Sequence, residues 1–317
     1  MKAKKSGQAS ELGDERLAKF PAIEAALRKA VQSWEANPDK GGREMAQETE
    51  TLAEVVQLRL PYFSEALAIP NAFLRSALFP ALDLKKSRPL LHKQQLCTVG
   101  TLEVRFSGER FDQGDLDVLS GILDISTRSD MGNVFRFSAY SLLKSLGKQT
   151  DGRRYKWLRD SVDRLFAGSV WVRDKRTKQR FFGHLIEGGI EDESTMTYAV
   201  RVNPELGVLF GFDAWSRISR AQRRVLRNAT AKALHAYYSS HTRPSGHRYE
   251  TLAEVVGCEN KQAAGLKRRL IKAHDDLIRC GFLESYEAEA QLITAHKAKE
   301  GARKRARKRK SSTKTIT

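Results

Sequence analysis

The chain of 317 residues is poor in cysteine and has no long apolar run, and both absences narrow the possible class of protein. Cys97, Cys258 and Cys280 are too few and too scattered for a disulfide framework. No run of about 18 apolar residues is present, so we expect no membrane span and no membrane partner. The basic N-terminal residues have no apolar stretch behind them, which predicts no signal peptide. Together these features favour a cytoplasmic protein.

Signatures of catalysis are also scarce. The seven histidines include no His-x-His pair and no HExxH motif. Without such a metal-binding pair, Tyr237 and Tyr238 are better explained as buried aromatic residues than as nucleophiles of a nicking nuclease. Gly147 and Lys148 resemble the end of a P-loop, but Leu142 stands where that motif needs its first glycine. We therefore expect no enzyme and no cofactor.

The segment FDQGDLD at 111–117 contains three aspartates and allows two interpretations. Asp112, Asp115 and Asp117 could ligate a metal ion. Alternatively, Asp112 and Asp115 have the spacing of a capping box, in which each side chain bonds the other's backbone amide at a helix start. Carboxylates there also suit the positive end of the helix dipole. We favour the capping role and expect no metal site.

The net charge of +18 is unevenly distributed. Residues 1–63 are neutral, whereas residues 297–317 carry +9. Between these ends, the positive charge is concentrated in four segments, and the remainder of 64–296 carries −10. The four segments are 136–164, 173–180, 217–232 and 261–279. Discrete basic segments on an acidic body are typical of a directed interface with a polyanion, so nucleic acid is the expected partner.

The hydrophobic pattern predicts an α+β fold. In the first part of the body, three helices are expected to start near Asp112, Ser138 and Gly152. Two alternating strands follow, VWVRD and RFFGHLI, around a polar tip at 175–179. Three helices followed by a basic hairpin are the order of a winged helix-turn-helix domain.

Residues 217–286 repeat this order. One helix is expected over RAQRRVLRNATAKALHAYYSS, a second over TLAEVVGC and a third at 263–279, before a strand that follows Gly281. We therefore predict two tandem winged-helix domains. The expected boundaries are an N-terminal extension at 1–56, a first winged-helix domain at 57–210, a second at 211–290 and a basic, disordered tail at 291–317.

The third helix of each unit and the hairpin tip are the predicted DNA contacts. In both helices the basic residues lie opposite an apolar stripe, formed by Leu158, Val162 and Leu165 in the first unit. Either helix alone could be an ordinary solvated face, but their repetition favours binding in the major groove. The predicted contacts are Arg153, Arg154, Lys156, Arg159, Arg164, Lys175, Arg176, Lys178, Arg224, Arg227, Lys267, Arg268, Arg269 and Lys272.

Five arginines at the entrance to the second unit have no acidic residue among them: Arg217, Arg220, Arg223, Arg224 and Arg227. They could hold phosphates across the junction of the two units, or they could pair with the acidic part of the body. A separate amphipathic helix is expected at 21–35, where it could dock on the body, bind a partner or dimerise. The strand YAVRV at 198–202 is another candidate dimerisation edge.

Several blocks, in this order, resemble one family. They are IPNAFLRSALF (69–79), FDQGDLDVLSGIL (111–123), FRFSAYSLLKSLGK (135–148), KWLRDSVDRL (156–165), VNPELGVLFGFDAW (202–215) and LHAYYSSH (234–241). Over about 57–284 the chain resembles the TrfA-type plasmid replication initiators. The resemblance implies a protein that binds direct repeats (iterons) in double-stranded origin DNA and helps to open an adjacent AT-rich segment. It also implies recruitment of the host replicative helicase and initiator, and a monomer–dimer equilibrium.

A further short match lies at the start of the body. Gln57, Leu58 and Leu60, in QLRLPYF, look like the QLxL core of peptides that dock on the bacterial sliding clamp, although an ordinary strand or domain edge would read the same. Two other functions remain open on the sequence alone. One is a winged-helix repressor that controls copy number from the same repeats, and the other is a rolling-circle nicking initiator.

Overall fold

The computed structural model describes residues 63, 65–82, 87–127, 134–176, 178, 180–210, 214–242, 244, 246–257 and 263–298. Three predictions lie outside these residues. They are the amphipathic helix at 21–35, the clamp-docking residues Gln57, Leu58 and Leu60, and the basic tail beyond residue 298.

The first half of the described chain, residues 66–219, mixes helices with antiparallel strands. Its elements are β1 (Ala66–Pro70), α1 (Asn71–Leu74), β2 (Leu90–Leu96), β3 (Leu102–Glu109), α2 (Gln113–Ser126), β4 (Val134–Ser138), α3 (Ala139–Ser145), α4 (Gly152–Ala167), β5 (Ser169–Asp174), β6 (Arg180–His184), β7 (Ile186–Asp192), β8 (Thr197–Val202), a 3-10 helix (Pro204–Phe210) and β9 (Trp215–Ser219).

Three antiparallel sheets form the first half, with the strand orders β2-β3-β5-β6, β4-β8-β7 and β1-β9. In the four-stranded sheet, successive residues alternate between a buried and an exposed face, as a pleated strand requires. Val104 and Val172 pair across β3 and β5 and are buried. Arg105, the next residue along β3, lies on the opposite face and is exposed. The sheet therefore covers the core with one face only.

Polar side chains cap the starts of α2, α3 and α4. Asp112 accepts hydrogen bonds from the backbone amides of Gly114 and Asp115, at 2.6 and 3.0 Å, and Asp115 accepts one from Asp112 at 2.9 Å. The predicted capping box is thus confirmed. Ser138 caps α3 and Asp151 caps α4 in the same way. Each cap satisfies an amide that has no partner inside its helix.

The second half begins with a short connecting helix and then repeats the order of helices and strands found in the first half. Its elements are α5 (Arg220–Val225), α6 (Ala229–Ser239), β10 (His247–Arg248), α7 (Tyr249–Val255), α8 (Ala263–Arg279), β11 (Leu283–Ala288) and β12 (Leu292–Lys297). The strands form one antiparallel sheet in the order β10-β12-β11. A helix, a strand, two helices and a hairpin thus occur as α2-β4-α3-α4-β5-β6 and as α6-β10-α7-α8-β11-β12. With both halves described, the predicted α+β class is confirmed.

Two details of the second half differ from the prediction. The single helix expected over residues 220–240 is interrupted at Leu226–Asn228, where Leu226 turns into the core and Asn228 caps α6. Residues 292–297, assigned to the tail, form β12, which pairs with β10 and β11. Ile293 and Ala295 of β12 are buried, so this strand completes the second core.

The two halves pack against each other and are joined by hydrogen bonds at their boundary. Two clusters of buried residues form the cores, one for each half. Ala81, Cys97 and Val99 belong to the first half but pack against the second core. Arg75 donates hydrogen bonds to the hydroxyl and to the backbone oxygen of Ser240, at the end of α6. These contacts join the halves into one compact unit.

Candidate nucleic-acid interface

Helix α4 has one buried side and one basic side. The buried side is formed by Leu158, Ser161 and Leu165. On the other side, Arg153, Arg154 and Lys156 are exposed, as predicted. The Lys156 ammonium lies 3.3 Å from Asp160, in a pair that is open to solvent and therefore easily exchanged for another anion.

Arg164 does not belong to the basic side of α4, so its prediction as a DNA contact is wrong. Its side chain is only 10% exposed and lies 2.8 Å from the Asp115 carboxylate. Asp115 also accepts a hydrogen bond from the Ser161 hydroxyl at 2.6 Å and pairs with Arg88. Burial and the neighbouring Asp112 raise the pKa of Asp115, while Arg164 and Ser161 oppose that shift. This network ties α4 to the start of α2.

Arg159 is held by the β7–β8 hairpin. Its Nε and Nη2 atoms donate to the Glu191 carboxylate at 2.8 to 3.0 Å, and Glu193 lies 3.3 Å from Nη2. The Tyr198 hydroxyl donates to the same Glu191 carboxylate at 2.8 Å. These carboxylates raise the pKa of Arg159. Because the Nε–Nη2 edge of the guanidinium is occupied, Arg159 can offer that edge to DNA only by giving up this pairing.

The tip of the β5–β6 hairpin carries the predicted basic residues in the open. Lys175, Arg176 and Lys178 are exposed. Lys175 pairs with Glu103 of β3 at 3.1 Å. Lys178 has a φ of 61° and donates its backbone amide to the Asp174 carbonyl at 2.9 Å, which closes the turn. The tip therefore projects cations from a tight turn.

Helix α8 repeats the arrangement of α4 in the second half. Leu266, Leu270, His274 and Leu277 are buried, as the spacing predicts. Arg268 and Lys272 are exposed, and Lys267 and Arg269 are half-buried at the edges of that face. Lys267 also lies 5.5 Å from the centre of the Tyr249 ring.

His274 is a packed histidine rather than a ligand. Its Nε2 lies 2.9 Å from the Tyr238 hydroxyl and its Nδ1 lies 2.8 Å from the Leu270 carbonyl oxygen. Burial lowers the pKa of His274 and raises that of Tyr238, so both groups stay neutral near pH 7. Tyr237 and Tyr238 are both buried, which confirms that they are core aromatic residues.

The five arginines at the junction divide into two groups. Arg220 pairs with Asp124, and Arg223 is buried against Asp117, so pairing with the acidic body is the correct alternative for these two. Arg217 lies over the Phe63 ring, 4.2 Å from its centre. Arg224 and Arg227 remain exposed on α5 and after it.

The outer face of the four-stranded sheet was missed by sequence reasoning. Arg105, Trp171 and Phe182 stand side by side in register on β3, β5 and β6. The Phe182 side chain is 64% exposed. Lys93 lies 5.6 Å from the Trp171 ring centre and Arg180 lies 5.0 Å from that of Phe182. The alternation in VWVRD and RFF could have placed these aromatic and basic side chains on one face.

Within the described residues, no group of three or more histidine, cysteine or acidic side chains could hold a metal ion. The helices in the same ranges are all too short or too polar to span a lipid bilayer. The candidate site thus consists of several basic surfaces.

Comparison with known proteins places this arrangement in a family. The family model described as "TrfA protein" matches residues 45–297. The chain belongs to the TrfA family. The residues that the family model matches include α4, α8, the tip of the β5–β6 hairpin and the junction between the two halves. Among curated proteins, the plasmid replication initiator protein TrfA of Escherichia coli is 25% identical over 244 residues, which cover 74% of this chain and 62% of that protein. This TrfA-family chain therefore matches less than two thirds of that relative's length.

Solved structures give more distant matches. A crystal structure of domains 2 and 3 of RctB is 14% identical, covers 73% of this chain and 98% of its own, and has a TM-score of 0.48. The WH1 domain of MSBI1.176, a replication protein isolated from a multiple sclerosis patient, is 17% identical, covers 31% of this chain and 77% of its own, and has a TM-score of 0.23. At these scores neither likeness supports a conclusion about function.

Proposed function

We propose that this TrfA-family chain is a plasmid replication initiator that binds repeated sites (iterons) in double-stranded origin DNA. The observation that carries the proposal is the repeated arrangement of the two halves. In each half a helix with a buried apolar side turns a basic side to solvent, and a hairpin follows it. We interpret the halves as tandem winged-helix domains, with α4 and α8 as the helices that enter the major groove.

The proposed DNA-contacting side chains form two groups, those that bind base edges and those that bind the DNA phosphate backbone. Arg153 on α4 and Arg268 on α8 are exposed arginines, which can bind guanine through two hydrogen bonds. Lys175 and Lys178 at the hairpin tip suit phosphate or minor-groove contacts. Lys156 can exchange Asp160 for a phosphate at little cost because that pair is solvated. One repeat would then be read by both halves together.

Opening of an AT-rich segment exposes single-stranded DNA, and the outer face of the four-stranded sheet supports that part of the proposal. Trp171 and Phe182 offer aromatic surfaces on which bases can stack, while Arg105, Arg173 and Arg180 on the same face can neutralise phosphates. A repressor that only binds duplex repeats has no use for such a face. This observation favours initiation over repression as the output.

The remaining parts of the proposal come from the family. They are recruitment of the host replicative helicase and initiator, docking of the Gln57 segment on the sliding clamp, and a monomer–dimer equilibrium. We propose a cytoplasmic, non-catalytic protein without a cofactor. A nicking reaction through Tyr237 or Tyr238 is disfavoured because both side chains are buried and hold neutral hydrogen bonds or ring contacts.

Selection from a library of random duplexes tests the proposal. We expect the full chain to enrich one sequence and, at a candidate origin, to protect its direct repeats. Contacts to roughly 6–10 phosphates predict a log–log salt slope of about −5 to −9. Arg268→Ala should relax the preference at one or two base positions, by about 1–3 kcal/mol. The matched control is Arg279→Ala, since it removes the same charge from the opposite, C-terminal end of the same helix, where Arg279 pairs with Asp276 at 2.6 Å.

Equal affinity for the enriched and a scrambled duplex, or a slope near −2, would overturn this function. Strand-opening assays on the origin test separately whether the chain initiates replication or acts as a repressor. Repeat binding without any opening of the AT-rich segment would assign the chain to repression instead.

A further inference from the structure

The turn between α3 and α4 is packed against α5 of the second half. Gly147 has a φ of 68°, and a Cβ atom on it would lie 3.2 Å from the Arg224 side chain. Arg224 donates a hydrogen bond from Nε to the Ser145 carbonyl oxygen at 2.8 Å. The turn is therefore shaped to hold the arginine closely, and it leaves the outer edge of the guanidinium toward solvent.

Cations from both halves meet at this turn. Lys148 follows Gly147, is half-buried and lies 4.6 Å from the centre of the Trp157 ring. Burial lowers the pKa of Lys148, and the nearby ammonium of Lys232 and guanidinium of Arg154 lower it further. These groups are thus close enough to repel one another.

Asp117 and Asp112 act in the opposite direction and raise the pKa of Lys148, but the net shift is still downward. Asp117 is buried and already pairs with Arg223 and Lys232. Burial acts to raise the pKa of Asp117, but Arg223 and Lys232 outweigh it and lower that pKa, so the carboxylate is held as an ion by those two partners. Within the part of the chain that the structure describes, no carboxylate forms an ion pair with Lys148, Arg154 or Arg224. We call these three residues the junction cations.

An anion that binds the junction cations has to approach from the surface and has to be small at the point of contact. The pocket beside the turn, lined by Ser145, Leu146 and Arg224 among others, encloses only about 30 Å³, which has room for a water but not for a nucleotide. Arg154 and Arg224, by contrast, are exposed. A phosphodiester of a passing strand fits this geometry, since it carries one charge on two oxygens and needs no enclosed pocket.

We propose that the junction cations bind one DNA backbone phosphate at the boundary between the two halves. The inference rests on the proposed function, because it takes α4 and α8 to lie on one duplex. It adds a defined contact between them. Two helices that each read their own bases need a common reference along the backbone, and a phosphate gripped from both halves supplies it. This phosphate contact therefore adds affinity to all duplexes and sets the spacing between the two sets of base contacts.

A phosphate scan on the full chain tests the proposal. The probe is the duplex enriched from the random library, made with a neutral methylphosphonate at one position at a time. For the wild-type chain we expect one methylphosphonate, between the two base-contacted segments, to weaken binding several-fold. For Lys148→Ala/Arg224→Ala the same substitution should have a much smaller further effect, because only Arg154 of the three junction cations remains. The double variant should also lower the log–log salt slope by about 1 to 2.

Four controls separate this contact from trivial effects. Arg136→Ala/Arg201→Ala removes the same charge from the exposed side of β4 and β8 and should leave the scan unchanged. Lys148→Arg keeps the charge and should restore most of the affinity that Lys148→Ala loses. Thermal unfolding of each variant shows whether it is folded. Inorganic phosphate should compete no better than chloride at equal ionic strength, which distinguishes a strand from a free ion.

The outcomes are distinct. If the enriched duplex binds but every methylphosphonate weakens binding by the wild type and by the double variant alike, the proposed phosphate contact is overturned and the proposed function stands. If no sequence is enriched, both fail. Specific competition by inorganic phosphate would show that the junction cations bind a small anion rather than a DNA strand, and would also overturn the proposed phosphate contact.

Discussion

The two halves expose a basic helix in the same place but hold it from behind with different chemistry. In the first half, α4 is tied to α2 through charges, with Arg164 and Arg88 on the buried Asp115 carboxylate. In the second half, α8 is tied to α6 through neutral groups, with His274 bonded to the Tyr238 hydroxyl. Buried ions are costly unless fully paired, whereas a neutral pair is cheaper but titrates when histidine takes a proton. The halves should therefore fail under different conditions.

The largest expected effect is on the charged anchor. Asp115→Ala should destabilise the first half by about 3–5 kcal/mol, because it leaves Arg164 and Arg88 without their buried partner. Chemical denaturation followed by tryptophan fluorescence measures this, since Trp157, Trp171 and Trp215 all lie in the first half. Asp160→Ala, at the solvated pair with Lys156, is the control and should cost less than about 0.5 kcal/mol. A loss as small as the control's would show that Asp115 does not anchor α4.

The neutral anchor should give a smaller effect in the second half. Tyr238→Phe keeps the ring but removes the hydroxyl that bonds His274, and we expect a loss of about 1–2 kcal/mol. Hydrogen exchange of the α6 and α8 amides locates the change, because the second half contains no tryptophan. If exchange quickened equally in α4, the two anchors would not be independent.

Acid should separate the halves. Burial lowers the pKa values of His241, His247 and His274 from the ordinary 6.5, so the unfolded state binds protons first as the pH falls. The second half should therefore lose stability below about pH 6.5. Arg223 and Lys232, against the effect of burial, lower the pKa of Asp117, whose contribution to the contact between α2 and the second half is lost only below about pH 3.8. Hydrogen exchange across this range checks the order, and earlier opening of α2 than of α8 would contradict it.

The smallest effect on stability is expected at the DNA-facing surface. Lys156→Ala should change the free energy of unfolding by less than about 0.5 kcal/mol in either direction. It should nevertheless weaken binding to all duplexes and lower the salt slope by about 1. Fluorescence anisotropy at several salt concentrations measures the latter. A large stability loss would mean that Lys156 belongs to the anchor rather than to the face.

Local patterns predicted much of this architecture. The starts of α2 and α3 follow from Asp112 and Ser138, and the buried stripe of α8 follows from its leucine spacing. The anchors escaped prediction because they join residues far apart in the chain. Nothing near Arg164 marks it as a partner of Asp115, 49 positions away, and helical spacing alone placed it on the open side. For Arg223, pairing with the acidic body was one of two expected alternatives, but nothing in the sequence singled out Asp117, 106 positions away. The break before Asn228 was missed because helix-forming residues flank it on both sides.

The pairing of β1 with β9 has a mechanical consequence. Ala66 pairs with Ser219, so the chain enters and leaves the first half at the same end of this antiparallel ladder. Opposite pulls applied at Ala66 and Ser219 would separate the strands one pair at a time, instead of shearing all five pairs together. This ladder, from Ala66 to Pro70, should therefore open at low force when it is loaded at these two residues.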